Sequence, residues 1–124
     1  MYKAAAALKT FFSGFGYPAY SDDSVPDDVD LPYIVYSVNV PGWTRKASIP
    51  VRIWDRSRSN TRIIQIADQI TAAIGPAEKS IPLDGGGYLT IWQPDDEQTQ
   101  IQVDGDYRYA YFNLWINAYI MPGE

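Results

Sequence analysis

The stretch DYRYAYFNLWINAYI, residues 106–120, decides the fold because it reads as one long β-strand. Alternate side chains of a strand point to opposite faces of its sheet. One face of this strand is apolar and predicts a core: Ala110, Phe112, Leu114, Ile116, Ala118 and Ile120. The other face combines aromatic rings with two amides: Tyr107, Tyr109, Tyr111, Asn113, Trp115, Asn117 and Tyr119. The second face needs an explanation other than a core.

Length and composition exclude several classes of function. The 124 residues suit a single domain, 1–124, that buries roughly two thirds of its unfolded surface. Cys and His are both absent, which removes disulfides, thiolate metal sites and imidazole catalysis. The net charge of -5 argues against stable nucleic-acid binding. The apolar run near the amino terminus is too short to span a membrane, so we expect a soluble cytoplasmic chain without a membrane partner.

The first third of the chain predicts a helix, a loop and two strands. Residues 2 to about 12, within an N-terminal segment 1–16, repeat Ala4, Leu8 and Phe11 or Phe12 at helical spacing. The acidic, proline-containing segment 17–32 favours a loop. Strands follow at 33–40 and 46–56, within a core predicted over 33–121. Pro50 in the second strand indicates a free edge or a bulge nearby.

The remainder predicts a second helix and a series of hairpins. Ser59 or Asn60 can cap this helix, and Gly75-Pro76 ends it. Its predicted apolar stripe is Ile63, Ile66, Ala67, Ile70, Ala73 and Ile74, and its predicted polar face is Arg62, Gln65, Asp68, Gln69 and Thr71. Strands are expected near 80–83, 88–93 and 99–103, with an Asp104-Gly105 hairpin before the final strand. The order α-β-β-α-β-β-β(-β) predicts an α+β domain, an antiparallel or mixed sheet covered by two helices.

Three candidate chemical sites come from acidic or glycine-containing segments, and each has a structural explanation. Asp22, Asp23, Asp27, Asp28 and Asp30 lack the spacing of a calcium loop. The segment GPAEKS, 75–80, lacks the leading glycine and strand of a phosphate-binding loop. The acidic runs 95–97 and 104–106 have turn chemistry, where aspartate is expected anyway. We therefore predict no enzyme, no catalytic or metal-binding residue and no cofactor.

The aromatic side of the last strand allows three interpretations. The residues form a protein interface, or a second buried layer within the monomer, or a platform on which nucleic-acid bases stack. Base stacking normally accompanies a positive groove, which an acidic chain does not favour. A second core layer would use Leu, Ile and Val more than Tyr and Asn. Because Tyr and Trp are enriched in interfaces, we favour the interface.

The order of elements and two short patterns resemble the tail terminator (tail completion, head-tail joining) proteins of long-tailed bacteriophages and prophages. The first strand begins with LP-x-I-V-Y, here Leu31, Pro32, Ile34, Val35 and Tyr36. The second strand has the V-x-I-W-D pattern of Val51, Ile53, Trp54 and Asp55, and an Ile/Ala-rich helix follows it. The resemblance extends from about 31 to 120.

The resemblance implies a structural virion protein of the tail or neck, present in the host cytoplasm during assembly. Such a protein forms a ring, usually sixfold, that stops polymerisation of the tail tube and contacts the head-tail connector. A ring of identical subunits joins two different patches. We expect Arg52, Trp54 and Arg56 to form one patch, and the other to be the row Tyr107, Tyr109, Tyr111, Trp115 and Tyr119 or the polar side of the second helix.

The acidic segments suggest a second role within such a ring. DNA must pass through a tail channel without adhering, and carboxylates repel phosphate. We therefore expect a channel-facing position for some of these residues: Asp22, Asp23, Asp27, Asp28, Asp95, Asp96 and Glu97. Two alternatives stay open. One is another neck or minor capsid protein, and the other is a small module that binds sugar, peptide or single-stranded nucleic acid on the aromatic strand.

Overall fold

The computed structural model describes residues 2–37, 46–56, 59–94 and 98–120. Within these residues the chain forms two helices and a seven-stranded sheet, which confirms the α+β class. The elements are α1 (Tyr2–Ser13), β1 (Ala19–Ser21), β2 (Tyr33–Tyr36), β3 (Lys46–Asp55), α2 (Thr61–Ile74), β4 (Lys79–Pro82), β5 (Gly87–Trp92), β6 (Gln100–Asp104) and β7 (Tyr107–Ile120).

Strand β7 lies at the centre of the sheet and is hydrogen-bonded along both edges. The strand order is β1-β2-β3-β7-β5-β4, with β6 also paired to β7. One edge of β7 pairs with β3 from Arg108 opposite Asp55 to Asn117 opposite Lys46. The other edge pairs first with β6 and then with β5. Only the β1–β2 pair among these is parallel, so the sheet is mixed.

Both helices contribute to a core on one face of the sheet. The core side of β7 is Ala110, Phe112, Leu114, Ile116 and Ala118, each at most 1% exposed. The first helix buries Ala4, Leu8 and Phe12, and the second buries Ile63, Ile66, Ala67, Ile70 and Ile74. The Phe12 ring stacks on Tyr36 with ring centres 4.5 Å apart, whereas Phe11 is only half-buried. Ala73 is predicted in the apolar stripe but is exposed: at 100° per residue it lies at the margin of the stripe, just beyond Ile66, in the last turn of the helix.

The start of α2 is held by polar contacts that reach across the fold. Asp55, at the end of β3, is 1% exposed and accepts hydrogen bonds from Arg62 Nε and Nη2 at 2.9 and 2.8 Å. Asn60 occupies the N-cap position without a side-chain capping bond. Its Oδ1 accepts a hydrogen bond from Arg108 Nη1 instead, at 2.9 Å. The helix therefore begins where β3 and β7 hold it, and it ends at Gly75 as predicted.

The segment 17–32 is not entirely a loop, because β1 lies within it. Ala19, Tyr20 and Ser21 pair in parallel with Ile34, Val35 and Tyr36. Three residues are too few to produce a strand pattern in the sequence, and the pairing with β2 supplies the hydrogen bonds. Strand β2 ends at Tyr36, and the predicted positions 38–40 lie outside the described residues.

Proline and glycine lie where their backbone chemistry permits. Pro50 pairs with Asn113 of β7, and its carbonyl oxygen accepts a hydrogen bond from Ser37 N, next to the last pair between β2 and β3. The β6–β7 turn consists of Gly105 and Asp106, one position later than the expected Asp104-Gly105 pair, since Asp104 already pairs with Tyr107. Gly105 has a φ of +61°, which a first turn position in a type II′ hairpin requires.

We expect the core side of β7 to dominate the stability of the fold. Leu114→Ala removes a fully buried side chain and should lower the free energy of unfolding by about 2–5 kcal/mol. Asn117→Ala, on the exposed side of the same strand, should change it by no more than about 0.5 kcal/mol. Urea denaturation of both variants measures the difference, and equal losses would contradict the two-faced description of β7.

Candidate functional site

The candidate site is the face of the sheet opposite the core, which we call the aromatic face. In the described part of the chain no helix covers it. It combines the outward residues of six strands: Tyr33 and Val35 of β2; Lys46, Ser48, Arg52 and Trp54 of β3; Tyr107, Tyr109, Tyr111, Asn113, Trp115, Asn117 and Tyr119 of β7; Tyr88, Thr90 and Trp92 of β5; Ser80 and Pro82 of β4; and Gln100 and Gln102 of β6.

Strand register brings the predicted residues of β3 and β7 into direct contact. Trp54 lies opposite Tyr109, and their ring centres are 4.4 Å apart. The Arg52 guanidinium lies 4.8 Å from the centre of the Tyr111 ring and 6.0 Å from that of Tyr109. Cations within about 6 Å of an aromatic ring are attracted to its face. These four side chains therefore order one another.

Two more cations of this surface lie over aromatic rings. Lys46 Nζ is 5.3 Å from the centre of the Trp115 ring. The Arg56 guanidinium is 5.8 Å from the centre of the Tyr107 ring and also contacts Asp106 at 3.4 Å. Both Arg56 and Asp106 are largely exposed, so this ion pair adds little stability. Its effect is to hold a cation beside an exposed ring.

Hydrogen bonds order the centre of the face, while its two ends stay open. Asn113 Oδ1 accepts hydrogen bonds from the Tyr111 hydroxyl at 3.3 Å and the Ser48 hydroxyl at 3.4 Å. At the ends, Tyr107 is 41% exposed and Tyr119 is 42% exposed. Tyr88, beside Tyr119, is 50% exposed, and their ring centres are 5.8 Å apart. Aromatic area is therefore available to a partner mainly at the two ends.

The β3 residues and the tyrosine row form one continuous surface. The prediction treated Arg52, Trp54 and Arg56 as a patch distinct from Tyr107–Tyr119, but adjacent strands and ring contacts join them. The polar side of α2 is a separate surface beyond the core. Its predicted members, Arg62, Gln65, Asp68, Gln69 and Thr71, are all exposed, as is Ile64 at 41%.

The sequence did not reveal that β5 contributes to this face. Tyr88, Thr90 and Trp92 lie opposite Tyr119, Asn117 and Trp115. In the segment YLTIW, residues 88–92, the apolar Leu89 and Ile91 alternate with Tyr88, Thr90 and Trp92. Because Leu89 and Ile91 are buried, this alternation indicates that the other three side chains point outward. The sequence does not predict that β5 pairs with β7, because strand pairing joins residues that are far apart in the chain.

The acidic segment lies beside one end of the aromatic face. Asp27, with Pro26 and Val29, lines a small pocket that also contains Tyr33, Trp54 and Tyr107. Burial, followed by the proximity of Tyr107, raises the pKa of Tyr33 above its ordinary value. The pocket therefore favours the neutral phenol of Tyr33.

The acidic residues differ in what they contact. Asp22 accepts a hydrogen bond from the Ser37 hydroxyl at 2.7 Å. Hydrogen bonds from Ser21 and Ser24 lower the pKa of Asp23. Asp27 and Asp28 are exposed. Asp95, Asp96 and Glu97 lie outside the described residues.

The described residues contain neither a cluster of metal-ligating side chains nor a helix that could span a membrane. Among these residues, no group of three or more acidic side chains is placed to hold a metal ion. Neither α1 nor α2 has the length and apolar character needed to cross a membrane.

Comparison with known proteins shows the fold but not the family. The chain matches no family model, and no curated protein matches it. It is similar to a solved structure whose name states no function, with a TM-score of 0.67 over 96% of this chain and 95% of the other. The two sequences are 12% identical, so the likeness establishes a shared α+β architecture only.

Proposed function

We propose that this protein is a structural protein of a bacteriophage or prophage virion, a tail terminator that caps the tail tube and joins it to the head connector. The observation that carries the proposal is the aromatic face, a sheet surface with ordered rings and cations and no helix over it in the described ranges. The resemblance in element order and in the two β-strand patterns supplies the class of assembly.

The composition of the aromatic face supports protein contact. Tyr, Trp and Arg are the residue types enriched at the energetically important positions of interfaces. Here Arg52, Trp54 and Tyr109 already hold one another in place. A partner that binds an ordered side chain loses less conformational entropy than one that must order it. Association through this face therefore costs little side-chain conformational entropy.

The placement of two different surfaces supports a ring. Head-to-tail rings join one patch to a different patch on the next copy. The aromatic face and the polar side of α2 lie on opposite sides of the core. We propose that these two surfaces meet between copies of a homo-oligomeric ring, sixfold as the resemblance implies, and that the ring edges contact the tail tube protein and the head-tail connector protein. In this proposal the protein resides in the virion neck and passes through the host cytoplasm during assembly.

Deleting the gene from its phage or prophage tests the proposed function. Electron microscopy should then reveal overlong or ragged tails that lie apart from DNA-filled heads, because tube growth is neither stopped nor joined to a head. Supplying the gene in trans should restore joined particles. Normal virions in the deletion strain would overturn the proposal.

Truncating the centre of the aromatic face should impair assembly without unfolding the chain. Trp54→Ala removes the ring that lies on Tyr109. If it contributes about 2 kcal/mol to a subunit contact, binding should weaken about 30-fold. The yield of joined particles in the complemented deletion strain measures this loss.

Two controls accompany Trp54→Ala. Trp54→Phe keeps a ring and should retain most of the yield. Far-UV circular dichroism should be unchanged in both variants, because the side chain lies outside the helix-covered core. Loss of the circular dichroism signal would instead make Trp54 a folding residue.

We also propose that the acidic segment around Asp27 and Asp28 faces the DNA channel, because carboxylates repel phosphate. The double substitution Asp27→Lys, Asp28→Lys should slow DNA ejection without reducing the number of joined particles. The control Asp84→Lys reverses an exposed carboxylate in the turn between β4 and β5, outside both proposed contact surfaces, and should leave the ejection rate unaltered. Ejection followed by DNA-dye fluorescence measures both, and a normal rate in the lysine variant would remove the channel assignment.

A further inference from the structure

The β4–β5 end of the aromatic face has a regular chemical order that extends across four strands. A polar row consists of Lys46 on β3, Asn117 on β7, Thr90 on β5 and Ser80 on β4, each opposite the next in the strand register. Neighbouring strands lie about 4.8 Å apart, so the row spans roughly 14 Å. All four positions carry hydrogen-bonding side chains.

Aromatic side chains border this polar row on both sides. Tyr119 and Tyr88 lie on one side, and Pro82 of β4 continues that border. Trp92 lies on the other side, beside Trp115. Successive outward residues of a strand are roughly 7 Å apart, so the two aromatic borders are roughly 14 Å apart. The polar row and the aromatic side chains on either side of it form a shallow groove, which we call the trough.

The trough is open and sized for a small ligand. Its cavity of about 470 Å³ is lined by Tyr88, Thr90, Trp92, Asn117 and Tyr119, together with Ala77 and Glu78. Ligand sites commonly measure about 300–1,000 Å³. Within the described part of the chain, the side chains of Ser80, Thr90 and Asn117 make no hydrogen bond to other protein groups. Their donors and acceptors are therefore available to a ligand.

Charge in the trough points to a neutral ligand. Lys46 lies at one end of the polar row, and Glu78 lies near the other end. Lys46 is drawn toward the Trp115 ring, Glu78 adds a negative charge, and the chain as a whole is acidic, so an anionic ligand such as a phosphate or a carboxylate is not favoured. A ligand with many hydroxyls and flat apolar surfaces can form hydrogen bonds with the polar row and pack against the aromatic rings that border it.

We propose that the trough is a binding site for a neutral oligosaccharide of pyranose units. The C–H face of a pyranose ring packs against the Tyr88–Tyr119 pair. Its hydroxyls exchange hydrogen bonds with the Asn117 amide and the Thr90 hydroxyl, and Trp92 contacts the next unit. The trough lies at the β4–β5 end of the aromatic face, so this activity requires that the subunit contact of the proposed ring be confined to the part of the face around Trp54 and Tyr109.

Titration of the purified full chain with three neutral trisaccharides tests the site. The probes are maltotriose, cellotriose and triacetylchitotriose, followed by tryptophan fluorescence and by saturation-transfer NMR. At least one probe should bind saturably below about 10 mM. Tyr119→Ala and Asn117→Ala should each weaken that binding about tenfold or more, and the far-UV circular dichroism should stay unchanged.

Tyr107→Ala is the matched control. Tyr107 and Tyr119 are 41% and 42% exposed on the same face of the same strand, but only Tyr119 borders the trough. The Tyr107 variant should bind the trisaccharide like the unaltered chain. The absence of saturable binding to all three probes would overturn the proposal, as would an equal loss in the Tyr107 and Tyr119 variants. If no probe binds and Asn117→Ala instead reduces the yield of joined particles, the trough is a protein contact.

Discussion

The pairing of β7 with β3 is the constraint on which the rest of the structure depends. The two strands are paired over ten positions, from Lys46–Asn117 to Asp55–Arg108. A shift of one residue would turn Phe112 and Leu114 to solvent and Tyr111 and Asn113 into the core. Because that exchange would expose a fully buried apolar row, the register is strongly specified. Every contact on the aromatic face inherits its geometry from this register.

Polar anchors fix which side of the sheet the second helix covers. The buried Asp55 carboxylate receives two hydrogen bonds from Arg62, and these bonds raise the pKa of that guanidinium further. Arg108 of β7 reaches Asn60 at the helix start. Since both contacts lie on the core side, α2 packs there and the opposite face keeps its rings accessible. Fold and candidate function are linked through this asymmetry.

The aromatic face has two parts with different chemistry. At the centre, Arg52, Trp54, Tyr109 and Tyr111 contact one another and are half-buried, so the surface is ordered before any partner arrives. Toward β4, the rings are more exposed and a polar row lies between them. An ordered aromatic centre suits a protein contact, and an open trough with available hydrogen-bonding groups suits a small neutral ligand.

The sequence by itself determined the α+β class, the two faces of β7 and the extent of α2, because each depends on local periodicity and on end signals such as Gly75. It also identified the outward rings of β7 and the outward cations of β3. Only the tertiary structure decided that these are one surface, that β5 extends it, and that Ala19–Ser21 form a strand beside β2. Strand neighbours are chosen by hydrogen bonds and burial between segments distant in the chain, and no local pattern in the sequence records that choice.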